Sequence, residues 1–258
     1  MKLSLETLGR GEPLVLLHGW GMNSAVWGDF AERLAENRRV ILIDLPGHGD
    51  SPFADERSLR EWAGACLAVV PERAVWVGWS LGAQVALQVA LDQPERVQKL
   101  ISLAGTPRFV QGENWPHAMA DKTLGQFATS LKQDHRKTLE RFLALQVRGS
   151  DEARTTLRAI KIRLMEKSDP QLTTLEAGLS LLKNVDLREG LAALQMPTLW
   201  LYGERDTLVP AAAAELLTAL LPQAEVHIIS AAAHAPFLSH QDETLALIET
   251  FLERSSEQ

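Results

Sequence analysis

Short aliphatic runs recur along this 258-residue chain, with helix-like stretches between them. They lie at Leu14 to Leu17, Val40 to Ile43, Val75 to Val77, Leu100 to Leu103, Thr198 to Leu201 and Val226 to Ile229. Near-continuous apolar runs predict strands buried on both faces. Alternating with helices, they predict a mostly parallel sheet covered on both sides, the α/β class. Upstream, Leu3, Leu5 and Leu8 are expected in a more polar, antiparallel edge strand.

The alternation stops between about Phe109 and Arg188. There Leu139, Phe142 and Leu143 recur at i, i+3, i+4, and Leu157, Ile160 and Leu164 at i, i+3, i+7. Both are helix spacings. The expected organisation is one sheet-centred core over residues 1–108 and 189–258, interrupted by a helical lid over 109–188.

Composition narrows the class. Hydrophobic residues at 46% and charged residues at 23% are ordinary for a globular chain, so disorder is excluded. No apolar run approaches the roughly 20 residues that cross a bilayer, so no membrane partner is expected. The N-terminal MKLSLETLGRGEP has neither a long apolar core nor a small-residue cleavage site, so no secretory leader is expected. Cys66 is the only cysteine, which rules out an intrachain disulfide or a cysteine zinc cluster and fits a reducing cytoplasm. A net charge of −7 argues against a nucleic-acid partner. A monomer is the simplest expectation.

The chemistry begins at Gly78-Trp79-Ser80-Leu81-Gly82, which follows the run Ala74 to Val77 and precedes the helical segment Ala83 to Leu91. A GxSxG sequence needs this strand–elbow–helix context, because its serine sits on a strained turn and requires small residues two before and two after it. The turn also sets Ser80 at a helix N-terminus, where the dipole favours developing negative charge. Ser80 is therefore the expected nucleophile.

A serine nucleophile needs a base, and the base needs an orienting acid. Asp206, in Tyr202-Gly203-Glu204-Arg205-Asp206, follows one strand run; His234, in Ala231-Ala232-Ala233-His234-Ala235-Pro236, follows the last. Both fall at the strand ends that also carry Ser80, in the chain order serine, acid, histidine. Glu204 is the nearest rival acid. His227 lies inside a strand, His117 and His135 in the helical insert, His240 on the following helix and His48 in a turn.

The tetrahedral intermediate of acyl transfer needs two N–H donors. One is expected from Leu81, the other from His18-Gly19-Trp20-Gly21, most simply Trp20, whose side chain would line the acyl pocket. The same stretch imitates a dinucleotide site, since Gly19-x-Gly21-x-x-Ser24 follows a strand and Asp44 ends the next one. That rival replaces the third glycine by Ser24 and leaves Ser80, Asp206 and His234 unexplained; tight NAD binding would favour it. HExxH, paired CxxC and P-loop motifs are absent from the sequence, so neither a metal nor a cofactor is expected.

Charge is unevenly spread. Residues 132–167 hold ten Lys or Arg against five acids, a local +5 that leaves −12 for the remainder. Lys137 and Arg141 are i, i+4, as are Arg154 and Arg158, with Lys161 three further on. Each set makes a basic stripe on one helix face, suited to steering an acidic macromolecule; a merely solvated face is the plainer alternative. Leu139, Phe142, Leu143 and Gln146 would face the cleft or the core.

These segments together resemble one family over nearly the whole chain, the pimeloyl-carrier-protein methyl ester esterases of biotin synthesis, with the α/β-hydrolase fold. The resemblance rests on LLHGWG at Leu16 to Gly21, DLPGHG at Asp44 to Gly49, GWSLG at Gly78 to Gly82 and ERFLALQ at Glu140 to Gln146, and on LYG, LVP and AAAHAPF at Leu201, Leu208 and Ala231 onward. It implies hydrolysis of the methyl ester of a pimeloyl chain tethered to acyl carrier protein. It implies Ser80, Asp206 and His234 as the triad, and Trp20, Leu81, Phe142, Leu143, Ala144, Leu145 and Gln146 around the substrate. It implies docking of the acidic carrier by Lys137, Arg141, Arg154 and Arg158, with Lys137 standing where arginine is expected, which weakens bidentate pairing but keeps the charge. A general short-chain carboxylesterase and a non-enzymatic receptor on the same scaffold stay open at this point.

Overall fold

In the computed structural model, which describes residues 2–53, 55, 57–70 and 73–254, every aliphatic run is a strand. The elements are β1 (Leu5–Leu8), β2 (Pro13–Leu17), α1 (Gly28–Ala35), β3 (Arg39–Ile43), α2 (Leu59–Leu67), β4 (Ala74–Trp79), α3 (Leu81–Asp92) and β5 (Val97–Leu103). Four helices follow without a strand: α4 (Asp121–Gln133), α5 (His135–Gln146), α6 (Ala153–Leu164) and α7 (Leu172–Asn184). The chain then returns to the sheet through β6 (Thr198–Gly203), α8 (Ala213–Leu220), β7 (Glu225–Ile229), α9 (Pro236–Ser239) and α10 (Gln241–Glu253).

The seven strands form one sheet in the order β1-β3-β2-β4-β5-β6-β7, parallel except for the edge pair β1–β3. The central strands β4 and β6 are buried at every residue, as continuous apolar runs require. β1 carries the polar pattern of an exposed edge. Local chemistry agrees with the elements it bounds: Ser58 caps α2 by accepting the Glu61 N–H, while the Glu61 carboxylate accepts the Ser58 N–H at 2.8 Å. Lys99 on β5 runs to the end of α10, where its ammonium donates to the carbonyls of Phe251, Leu252 and Arg254 at 2.6–3.0 Å. A cation there satisfies carbonyls that the helix itself leaves unpaired.

Strand order decides where a site can form. From β2 the chain crosses outward to β3, and from β4 it crosses the other way, so the order reverses between β2 and β4. Loops leaving those two strands diverge and open a crevice at their carboxyl ends. The loop beginning at His18 leaves β2, and Ser80 follows β4, so both flank that point. No helix among the described residues is long and apolar enough to cross a membrane.

Candidate active site

Ser80 stands between β4 and α3 with φ 56° and ψ −117°, a conformation that costs an ordinary residue of order 1–3 kcal/mol. The glycines two residues either side are required by contact. A Cβ on Gly78 would collide with the Gly82 carbonyl and Ala83, and one on Gly82 with the Leu17 and His18 carbonyls. The start of α3 therefore rests directly on the end of β2. A Cβ at Gly19 would lie 3.4 Å from the Ser80 Cβ, so the backbone of the β2 loop runs alongside the serine.

Asp206 and His234 meet directly. His234 Nδ1 lies 2.6 Å from Asp206 Oδ2, and both side chains are fully buried. The other Asp206 oxygen accepts the N–H groups of Leu208 and Val209 at 2.8 and 3.0 Å, which fixes the carboxylate. Since the carboxylate accepts, Nδ1 carries the hydrogen and Nε2 bears the lone pair. Nε2 is buried and has no hydrogen-bond partner among the described residues, so it is available to take a proton. Glu204 is exposed and is bound instead to the Ala231 N–H and the Ser230 hydroxyl.

The His234 loop is pinned on several sides. The Trp79 indole donates to its carbonyl at 2.7 Å, and its own N–H donates to the Gln146 carbonyl at 3.0 Å. Phe237, three residues on, packs among Trp27, Phe30 and Trp79 at centroid distances of 4.4, 5.6 and 5.0 Å. Trp79 immediately precedes Ser80, so the serine and the histidine share one aromatic support.

The helices α5 and α7 cover the β2 loop. The Trp20 indole N–H donates to the Leu175 carbonyl at 2.9 Å, and its ring meets Phe142 edge-on at 4.8 Å. A Cβ at Gly178 would clash with Trp20 and touch Leu81, so α7 approaches closely only because that position is glycine. Trp20, Leu81, Phe142, Leu143 and Gln146 are all buried here. Ala144 is not among them; it lies on the exposed face of α5, and Leu145 is half-buried. Five consecutive residues on a helix spread around it, so they cannot all face one pocket. Between α5 and the end of α6 runs a groove of about 580 Å³, walled by Leu139, Leu143 and Leu164, reaching Gly21 of the β2 loop, and edged by Lys161 and Met165.

Lys137, Arg141, Arg154 and Arg158 are exposed on α5 and α6, and none makes an ion pair with a described residue. Other cations of the same segment have internal uses: Arg163 pairs with Asp29 at 2.8 Å and Lys167 with Asp44 at 2.9 Å. Lys167 counts toward the local positive charge of residues 132–167 in the sequence, yet it turns inward. Only the fold reveals this, because its partner is 123 residues away.

Asp44 is where the dinucleotide alternative fails. Its carboxylate is fully buried and occupied, Oδ1 by the Ser24 N–H at 2.7 Å and Oδ2 by the Asp50 N–H and Lys167. Burial raises its pKa, but neighbouring His18 and the hydrogen bonds from Lys167, Ser24 and Asp50 outweigh that, and the carboxyl lies below its ordinary value.

Two more histidines are fully buried beside it. Burial pushes His18 down to about 4 and, helped by His18, pushes His48 down to about 3. Both lie below the ordinary value of about 6.5, so the unfolded chain binds protons there that the folded chain does not. Stability must therefore fall as pH drops from about 6.5 toward 4, by about 3–4 kcal/mol at pH 5 relative to pH 7 for the two rings together. Asp44 adds loss only at lower pH, below the ordinary carboxyl range. Urea unfolding at pH 7 and pH 5 measures this; an unchanged midpoint would contradict it.

A strained serine on a strand–helix elbow at the crevice of a mostly parallel sheet, with a carboxylate-bound histidine held by the adjoining Trp79, defines the class. The α/β hydrolase fold family model matches residues 12–241, and the chain belongs to that family. The same fold is found in an esterase from Exiguobacterium antarcticum (TM-score 0.89, 22% identity, 98% of this chain and 96% of that one). It recurs in a bromoperoxidase from Bacillus anthracis (TM-score 0.86, 22% identity, 98% and 95%). Within that class the sequence relatives are more particular. The pimeloyl-[acyl-carrier protein] methyl ester esterase of Aeromonas hydrophila is 46% identical, covering 98% of this chain and all of the relative. The protein of that name from Serratia marcescens is 44% identical over 96% of each. The chain belongs to the pimeloyl-[acyl-carrier protein] methyl ester esterase family.

Proposed function

We propose that this protein hydrolyses the methyl ester of a pimeloyl chain carried on acyl carrier protein, releasing methanol and the carrier-bound acid for biotin synthesis. The observation that carries the chemistry is the buried Asp206–His234 pair with a free Nε2, joined through Trp79 to the strained Ser80. End-to-end likeness to the methyl ester esterases supports the substrate.

Ser80 Oγ attacks the ester carbonyl while His234 Nε2 takes its proton. The Trp20 and Leu81 N–H groups receive the developing oxyanion. The C–O bond to the methoxy group breaks, and His234 returns the proton to the departing methanol. Water, deprotonated by the same nitrogen, then attacks the acyl-serine; the acid leaves and Ser80 recovers its hydrogen. Asp206 holds the imidazole in this tautomer and stabilises its charged form. Every group named comes from one chain, so a monomer suffices. The buried, unpaired Cys66 suits a reducing cytoplasm.

The helices α4–α7 serve as the lid in this reading. Lys137, Arg141, Arg154 and Arg158 on α5 and α6 dock the acidic carrier, and the groove toward Gly21 takes its tethered acyl arm. Free surface cations contribute to encounter and orientation more than to stability. Arg154→Glu combined with Arg158→Glu should lower kcat/KM for the carrier-bound methyl ester about 10- to 100-fold, and more at low salt, while a free short-chain methyl ester changes less than about three-fold. Equal loss on both substrates would remove the docking role and leave a general carboxylesterase.

A further inference from the structure

We propose that His18 and His48 form a reciprocal brace that aims the Trp20 N–H, making both of them positioning residues for oxyanion binding. The inference rests on the reading of Trp20 as an oxyanion donor.

Each ring holds its own loop with one nitrogen and the neighbouring loop with the other. His18 Nδ1 lies 2.8 Å from the Gly19 carbonyl, so it carries the hydrogen, and its Nε2 accepts the Leu45 N–H at 3.0 Å. His48 Nδ1 lies 3.0 Å from the Pro46 carbonyl, and its Nε2 accepts the Gly21 N–H at 3.2 Å. The rings sit 5.2 Å apart, and His48 also meets Trp62 edge-on at 5.8 Å. The loop after β2 is thus tied to the loop after β3 in both directions.

The bonds fall on the peptides that matter. The Gly19 carbonyl belongs to the same planar unit as the Trp20 N–H, and in a trans peptide the two point oppositely. His18 and the Met22 N–H both donate to that carbonyl, at 2.8 and 3.3 Å, so the Trp20 N–H is turned the other way. The Met22-to-Gly19 bond closes a turn with Trp20 and Gly21 at its centre, and Gly21 has φ +69°. That is the type II pattern. Its central peptide is held by the His48 acceptor on the Gly21 N–H, and the peptide before it by His18 on the Gly19 carbonyl, so both peptides flanking Trp20 are anchored. Burial keeps both rings neutral, so each retains its Nε2 lone pair.

The test compares His48→Phe, which keeps a ring against Trp62 but has no acceptor, with His48→Gln, whose side-chain oxygen reaches toward the place of Nε2. Readouts are kcat and KM for a methyl ester, Tm, and the rate at which an aryl methylphosphonate labels Ser80, since its phosphonyl oxygen needs the same donors. The phenylalanine variant should lose about 10- to 100-fold in kcat, with KM within about three-fold and labelling slowed in parallel. The glutamine variant should regain at least ten-fold where the loss is largest. An unchanged kcat, a loss that follows Tm alone, or a glutamine variant as slow as phenylalanine overturns the brace. If the phenylalanine variant does not fold, His48→Asn replaces it, being too short to reach Gly21; equal rates for asparagine and glutamine overturn the brace. Failure of wild-type protein to be labelled would instead overturn the Ser80 site itself, and the brace with it.

Discussion

Ser80→Ala should reduce methyl ester hydrolysis by at least about 10⁴-fold, with an unfolding midpoint close to that of the parent chain. Substitution removes the one oxygen that would form the acyl intermediate and leaves the elbow standing. The elbow depends on contacts rather than on the hydroxyl: Gly78 and Gly82 permit the close approach of β4, α3 and β2, and the Ser80 carbonyl accepts the N–H groups of Ala83 and Gln84 at 3.0 and 3.3 Å. The Asp206–His234 pair makes no hydrogen bond that needs the serine side chain. Steady-state hydrolysis, phosphonate labelling and thermal unfolding on one preparation suffice. Near-parental turnover by folded Ser80→Ala would remove Ser80 as nucleophile.

Asp206→Asn should cost about 10⁴-fold in kcat for a reason visible in the hydrogen bonds. Asp206 Oδ1 accepts two backbone N–H groups, so an asparagine would keep its oxygen there and turn its NH₂ toward His234 Nδ1. A donor facing Nδ1 forces the imidazole hydrogen onto Nε2, the nitrogen that must accept the serine proton. KM should change less than about three-fold, because nothing in the acyl groove is altered. Glu204→Gln is the matched control: its carboxylate serves Ala231 and Ser230, and kcat should stay within about three-fold. Comparable losses from both substitutions would contradict the assignment of Asp206 as the orienting acid.

Much of this fold is legible in the chain itself. All six aliphatic runs are strands, five of them because a strand buried on both faces leaves an apolar run, whereas the last, β7, is an edge strand with Ile228 exposed. The polar stretch around Leu5 is the antiparallel edge. The break in alternation contains four helices and no strand. Less legible are contacts between distant segments. Lys167 looks like one more lid cation until the fold brings it to Asp44 and the Ser24 hydroxyl. Ala144 shares a run with Phe142 and Leu143 but turns outward, because adjacency along a helix does not mean a shared face. His18 and His48 carry no local mark of their pairing, since each is one polar residue in a glycine-rich turn.

The sequence alone therefore determined the strand complement, the position of the helical insertion and the serine elbow, all written in short-range periodicity and steric need. The tertiary structure decided which groups meet. It selected Asp206 over Glu204 as the carboxylate on His234, occupied Asp44 from three sides, and tied the β2 and β3 loops through two buried imidazoles. Those choices depend on directions in space that a strand order and a helix packing set, and on burial that holds a histidine neutral. No spacing along the chain encodes either.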